Sequence, residues 1–197
     1  GNATTGLGHS NVDGSEKSIY NALNGSKNIS EVIKKTEIND LDIITSNVDL
    51  SGLEVETAGD NGRAFILRDK LSIFFKENSS NYSHIFIDCP PSLSLLTVMA
   101  LVASNSLIVP LQTEFFALEG LTQLVKTIDR VKESLNSDLS IRGIILTMYD
   151  KRNKLSSQVE KEARDYFKEK VYNTVIPRNV RLSEAPSHGI PVLIYDK

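Results

Sequence analysis

His84-Ile85-Phe86-Ile87-Asp88-Cys89-Pro90-Pro91-Ser92 is an apolar run that stops abruptly in a carboxylate followed by two prolines. Three consecutive large apolar residues suit a strand covered on both faces, as in a parallel sheet. The prolines have no N–H to give a ladder, so they turn the chain out of the sheet. An acid at the carboxyl end of such a strand is placed to hold a hydrated Mg²⁺ beside nucleotide phosphates. The same acid can also simply end a strand or cap the helix that follows. Asp88 is therefore the candidate metal-site residue.

Working outward, Leu41-Asp42-Ile43-Ile44, Leu107-Ile108-Val109 and residues 141–148 are further short runs rich in β-branched residues. Between them, apolar residues recur at three-to-four spacing. Ala64, Leu67, Leu71, Phe74 and Phe75 form one stripe; Leu118, Leu121, Val125, Ile128 and Leu135 form a second; Val159, Ala163, Tyr166 and Phe167 form a third. This is the period of helices with one apolar face. Ser51-x-x-Glu54 and Ser157-x-x-Glu160 fit the capping box and predict helix starts. Strands alternating with helices predict an α/β domain, doubly wound, with a mainly parallel sheet and helices on both faces. No internal repeat or linker divides residues 1–197, so a single domain is expected. Ligands of such sheets bind beyond the carboxyl ends of the strands, where the residues after each run become candidates.

The composition is that of an ordinary globular chain, with 40% hydrophobic and 24% charged residues. No apolar run approaches the roughly 20 residues of a membrane-spanning helix, and residues 1–6 lack the basic head and apolar stretch of a secretion signal. A cytoplasmic location is expected. The single cysteine, Cys89, excludes an internal disulfide and a multi-cysteine zinc or iron–sulfur site within one chain. Beside Asp88 it reads as a small side chain rather than a nucleophile, because phosphoryl transfer needs no thiol. Net charge is −3, but from Lys151 to Arg181 nine Lys/Arg face four acids, leaving +5 there and −8 elsewhere. This pattern fits a local anion-binding face on an acidic body, and also a charged amphipathic helix over 158–170.

Four stretches in order carry a likeness: Asp88 to Ser94, Thr113-Glu114-Phe115-Phe116-Ala117-Leu118-Glu119-Gly120, Leu146-Thr147-Met148-Tyr149-Asp150, and Val175 to Gly189. Together they resemble the ParA/Soj family of chromosome- and plasmid-partitioning ATPases. The likeness runs over essentially the whole chain. Asn2 to Gly8 resembles the stretch that follows the family's second strand and its Asp-x-Asp-Pro-Gln motif. The resemblance implies a P-loop NTPase of the deviant Walker type, with ATP and Mg²⁺ as cofactors and Asp88 as the acid of the Mg²⁺ site, acting through water. It implies that Pro177 and Asn179 border the adenine, with Met148 packed on the ring. Proline suits that place as a rigid wall, and asparagine offers both a donor and an acceptor to a base edge. The resemblance further implies that Arg152 and Arg181 contact DNA phosphates, with Arg178 and Lys151 assisting. Both arginines lie in the basic segment, and a guanidinium, always charged and forked, suits sequence-blind phosphate binding.

The expected activity is that of a nucleotide switch. ATP sandwiches two subunits into a homodimer that binds non-specific DNA, and hydrolysis, stimulated by a centromere-binding protein of the ParB/Spo0J kind, releases it. The expected address is the nucleoid, with no membrane contact. The family's Lys-Gly-Gly-x-Gly-Lys-Thr-Thr loop has no counterpart in these residues. It is expected before residue 1, with the first strands and the remaining catalytic groups; the final helices are expected after Lys197. The 197 residues alone are expected to hydrolyse no ATP. A division-site ATPase of the MinD kind and a non-hydrolysing interaction module of the same fold are the competing readings. A nitrogenase-iron-protein-like carrier is disfavoured, since its cluster needs two cysteines per subunit. His84 and His188 are expected to be structural.

Overall fold

The computed structural model describes residues 1–9, 16–78 and 82–196. In chain order the elements are α1 (Asn2–Gly6), α2 (Ile19–Leu23), α3 (Ile29–Val32), β1 (Ile33–Lys35), β2 (Asp42–Ile44), α4 (Leu53–Glu56), α5 (Ile66–Asn78) and α6 (Leu95–Ala103). They continue with β3 (Ser106–Gln112), α7 (Ala117–Ser134), β4 (Ser140–Thr147), α8 (Lys154–Phe167), α9 (Val180–Glu184) and α10 (Val192–Tyr195). These residues form two compact units, 1–103 with 181–197, and 104–180.

The second unit holds the alternation that the sequence predicts. β3 and β4 pair in parallel, Val109 opposite Ile144 and Leu111 opposite Leu146, with a register shift between Leu107 and Ile108. On its other side β4 is bridged in parallel by the returning chain, Ile144 to Val171 and Tyr149 to Pro177. β3–α7–β4–α8 is thus a parallel crossover series, with helices between strands. The predicted helical stripes turn inward: Leu121 and Ile128 of α7 and Val159 and Ala163 of α8 are buried, and Val131 of α7, outside the predicted stripe, is buried with them. Val109, Leu111, Ile144, Leu146 and Val171 complete this core. Tyr166 of the predicted third stripe is exposed.

In the first unit Leu67, Leu71 and Phe74 of α5 pack with Leu53 and Met99. Short helices there are fixed by side-chain caps. The backbone N–H of Ser18 donates to Asn21 Oδ1 at 3.2 Å, and that of Asn28 to Glu31 Oε2 at 2.8 Å. The two capping boxes read from sequence are replaced. Ser51 donates its hydroxyl to the Val48 carbonyl at 2.7 Å within a 3₁₀ turn. α8 starts earlier than Ser157, capped by Asn153, whose Oδ1 accepts from Leu155 N at 3.0 Å.

Two strand expectations are also corrected. The run 41–44 belongs to an antiparallel hairpin, with Ile33 opposite Ile44, because only six residues join β1 to β2 and a parallel crossover needs a dozen or more. Its turn is tied by Thr36 Oγ1, which donates to the Leu41 carbonyl at 2.7 Å and accepts from Ile38 N at 3.1 Å. Residues 84–90 form no ladder among the described residues, and Phe86 is 81% exposed. A strand needs a neighbour to take its backbone groups, and none of the described strands pairs with this segment.

One backbone seat in the first unit requires glycine on both sides. Gly8 and Gly189 have φ of +80° and +68°, and a Cβ on Gly189 would lie 2.7 Å from Gly8 Cα. The turn closing on Gly189 is thereby held directly against the end of α1.

Candidate functional site

Three parallel segments of the second unit end side by side. β3 closes at Gln112, β4 at Thr147, and the returning chain passes Ile176 and Pro177 beside Tyr149. The alignment is fixed by backbone hydrogen bonds: Ile176 N to Leu146 O (2.8 Å), Tyr149 N to Ile176 O (3.1 Å) and Arg178 N to Tyr149 O (3.0 Å). Met148 and Pro177 therefore stand on neighbouring strands at the carboxyl edge, with Asn179 two residues further on. Met148 takes φ +51°, a left-handed conformation costly for a side chain with a Cβ, and it is 38% exposed. Next to it, the Thr113 hydroxyl lies 3.1 Å from buried Ser156 Oγ and 3.4 Å from Met148 O, within reach of either acceptor. An exposed thioether, a proline ring and an amide at one edge are two apolar surfaces and a bifunctional polar group, a set that suits a planar heterocycle.

Past Met148 the chain turns through Asp150, whose carboxylate meets Arg152 in a fork. Oδ1 accepts from Arg152 Nε at 3.0 Å and from its backbone N at 3.0 Å, while Oδ2 accepts from a terminal guanidinium nitrogen at 2.9 Å. These bonds hold the Asp150 carboxyl down at about 2. The Arg152 side chain remains 91% exposed. Arg178 reaches Glu114 at 3.4 Å. Tyr149 hydrogen-bonds Glu160 of α8, which raises the phenol and lowers the carboxyl, and Arg164 also donates to Glu160 at 3.0 Å. α8 is in this way anchored to the strand end that carries the basic turn.

A cleft lined by Arg164, Lys168, Val171 and Tyr172 lies at the opposite, amino edge of the returning chain. The Arg164 donors there are directed to Glu160 and to the carbonyls of Val171 and Tyr172. It contains none of the predicted site residues.

Asp88 and Arg181 belong to the first unit, whereas Met148, Arg152, Pro177 and Asn179 belong to the second. Asp88 is exposed in the irregular segment that precedes α6. A magnesium ion that travels with nucleotide phosphates and keeps its waters asks only one carboxylate of the protein, and an exposed Asp88 meets that demand. No group of three or more His, Cys, Asp or Glu able to cage a metal occurs among the described residues. Desolvation first, then the Asp88 charge, push the Cys89 thiol up, and its sulfur leans to the Ile87 carbonyl at 3.6 Å; neither favours a nucleophilic thiolate. Arg181, on α9, lies 3.3 Å from Glu184 and 3.8 Å from Asp196. His84 stacks on Phe86 at 6.3 Å between ring centroids and His188 on Tyr195 at 4.8 Å. Sequence reasoning passed over the acids beside the arginines, Asp150, Glu114 and Glu184. The local signals were the Asp-x-Arg spacing of 150–152 and the i,i+3 spacing of Arg181 and Glu184.

A family model described as an AAA domain matches residues 1–141. The chain is 50% identical over 196 residues to "Chromosome partitioning protein ParA" of Caulobacter vibrioides, covering 100% of this chain and 72% of that protein. It is 47% identical to "Sporulation initiation inhibitor protein Soj" of Bacillus subtilis, covering 100% and 76%. Among solved structures, a cobyrinic acid a,c-diamide synthase from Mycobacterium smegmatis with bound ATP analog and magnesium superposes with a TM-score of 0.80. That match has 30% identity over 98% of this chain and 73% of the other.

Proposed function

Because this chain belongs to the ParA/Soj family of chromosome-partitioning ATPases, we propose that it is the switch portion of an ATP-dependent DNA-segregation machine. The reading is carried by the carboxyl edge of the second unit, where a strained, exposed Met148 stands beside Pro177, and Asn179 follows. Adenine lies against Met148 and Pro177, and Asn179 meets the base edge as donor and acceptor. Asp88 would hold magnesium through its waters, and the ion would supply positive charge to nucleotide phosphates.

Nucleotide state is read out as DNA affinity. ATP joins two subunits, which doubles the number of Arg152 and Arg181 side chains available to one duplex, and linked weak contacts bind far more tightly than any one alone. Arginine contacts to phosphate carry no base information, so the DNA is bound without sequence preference. Hydrolysis separates the subunits and releases it; a centromere-binding protein of the ParB/Spo0J kind accelerates that step on the nucleoid.

The deciding measurement is retention of random-sequence duplex DNA in a gel by the full-length protein, with and without ATP, beside Arg152→Ala and Arg181→Ala. Retention that requires ATP, falls with salt and disappears in both variants is the expected result. Hydrolysis with no DNA retention under any nucleotide would sink the DNA reading and leave a membrane- or protein-directed relative in its place.

A further inference from the structure

The arginines of the basic segment do not face open solvent alone. Arg152 is bound by Asp150, Arg178 by Glu114, and Arg181 by Glu184 and Asp196. We propose that Asp150 and Glu184 occupy the place of a DNA phosphate on Arg152 and Arg181, and set DNA affinity through a carboxylate-for-phosphate exchange. The inference rests on the DNA reading given above.

At Arg152 the geometry is a two-pronged fork, with Nε at 3.0 Å from one Asp150 oxygen and a terminal nitrogen at 2.9 Å from the other. Two adjacent oxygens of a phosphate present the same pattern to a guanidinium. An arginine that already holds a carboxylate this way is oriented for phosphate before DNA arrives, so little side-chain entropy remains to be lost on binding. The internal pair is exposed on the arginine side, which makes it weak and readily displaced. Once the guanidinium turns to a phosphate, Asp150 remains close by. Its Oδ1 also accepts the backbone N–H of Arg152, and its carbonyl accepts from Asn153 N at 3.0 Å, so the negative charge stays beside the incoming phosphate. The same acid that orients the arginine therefore subtracts from affinity.

Arg181 is held by a different set with the same logic. Glu184, three residues along α9, meets the guanidinium at 3.3 Å, and the guanidinium carbon lies 5.9 Å from the centre of the Tyr195 ring. The Tyr195 hydroxyl donates to Glu184 Oε2 at 3.3 Å, which fixes the carboxylate in place. Two acids and an aromatic face thus hold the arginine in one position on the chain's own surface.

The test compares the full-length protein with its Asp150→Asn, Glu184→Gln, Arg152→Ala and Arg181→Ala variants, loaded with ATP and Mg²⁺, on a random-sequence duplex across a salt series. Asparagine keeps an acceptor for the Arg152 backbone N–H, so the turn is retained while the charge is removed. Asp150→Asn and Glu184→Gln are each expected to tighten binding by about two- to fivefold, the range set by an exposed ion pair. The slope of log affinity against log salt should stay at the wild-type value, because the number of phosphates neutralised is unchanged. The arginine variants should weaken binding and lower that slope by about one for each phosphate no longer neutralised. Glu184→Gln, on a separate helix, reads the exchange independently of any change in the Asp150 turn. Weaker or unchanged binding in both acid variants, with the arginine variants defective, would overturn the exchange and leave the DNA reading standing. Wild-type binding by both arginine variants would overturn the DNA reading and the exchange with it.

Discussion

Asp42 of β2 illustrates how single side chains in the first unit are matched to their surroundings. Its Oδ2 accepts from the Tyr82 hydroxyl at 2.6 Å and from Lys35 Nζ at 2.9 Å, and the tyrosine bond is the larger influence holding the carboxyl below its ordinary value. The same bond pushes Tyr82 up to about 12. The sign at each end follows from linkage. The depressed Asp42 contributes stability that is present above its ordinary pKa of 3.8 and lost as pH falls through the lower folded value. The raised Tyr82 contributes stability that is present below 10 and lost as pH rises through about 12. Tyr82→Phe should therefore cost about 1–2 kcal/mol at pH 7, a hydrogen bond to a charged group. Urea melts at pH 7 and pH 3 check it: the gap between variant and wild type should narrow at pH 3. A gap of equal size at both pH values would mean that ring packing on Phe74, 5.9 Å away between centroids, rather than the hydrogen bond, is what the hydroxyl supports.

At the scale of elements, β4 is the strand on which the second unit depends, paired with β3 on one side and bridged by the returning chain on the other. Gly143 in β4 leaves room for Tyr172 to lie across the strand: a Cβ there would come within 2.5 Å of the tyrosine ring. Because Tyr172 N also donates to Ile144 O at 2.9 Å, displacing the ring pulls on the segment that brings Pro177 to the site. Gly143→Ala should destabilise the protein by about 1–3 kcal/mol, as overpacking in a filled site does, and weaken nucleotide binding in parallel. Thermal melts and nucleotide titration check the two effects; Gly143→Ala,Tyr172→Ala should restore much of the stability. The corrected hairpin and the unpaired 84–90 segment belong to this scale as well. Both are cases in which the residues favour a strand while the available partner decides its form.

On the scale of the whole molecule, the chain contains no Gly-rich loop followed by Lys-Thr or Lys-Ser. These residues alone are expected to release no phosphate from ATP above background in a phosphate-release assay; steady turnover would show that they suffice without such a loop. No helix among the described residues is long and apolar enough to cross a membrane. The sequence by itself determined the α/β class, the helices α5, α7 and α8, and the membership of a family, because hydrophobic period and short motifs are local and survive without neighbours. It also identified Asp88, Met148, Arg152, Pro177, Asn179 and Arg181 as residues to watch. Only the tertiary structure decided that Met148 is left-handed beside a Thr113–Ser156 pair, that Pro177 lies beside Tyr149, and that Arg178 reaches Glu114. It also decided that the run at 41–44 is a hairpin arm. The Asp150–Arg152 and Arg181–Glu184 pairs are two and three residues apart and follow from local spacing, whereas the strand partners and the Glu114–Arg178 pair join residues far apart in sequence, which no local pattern encodes.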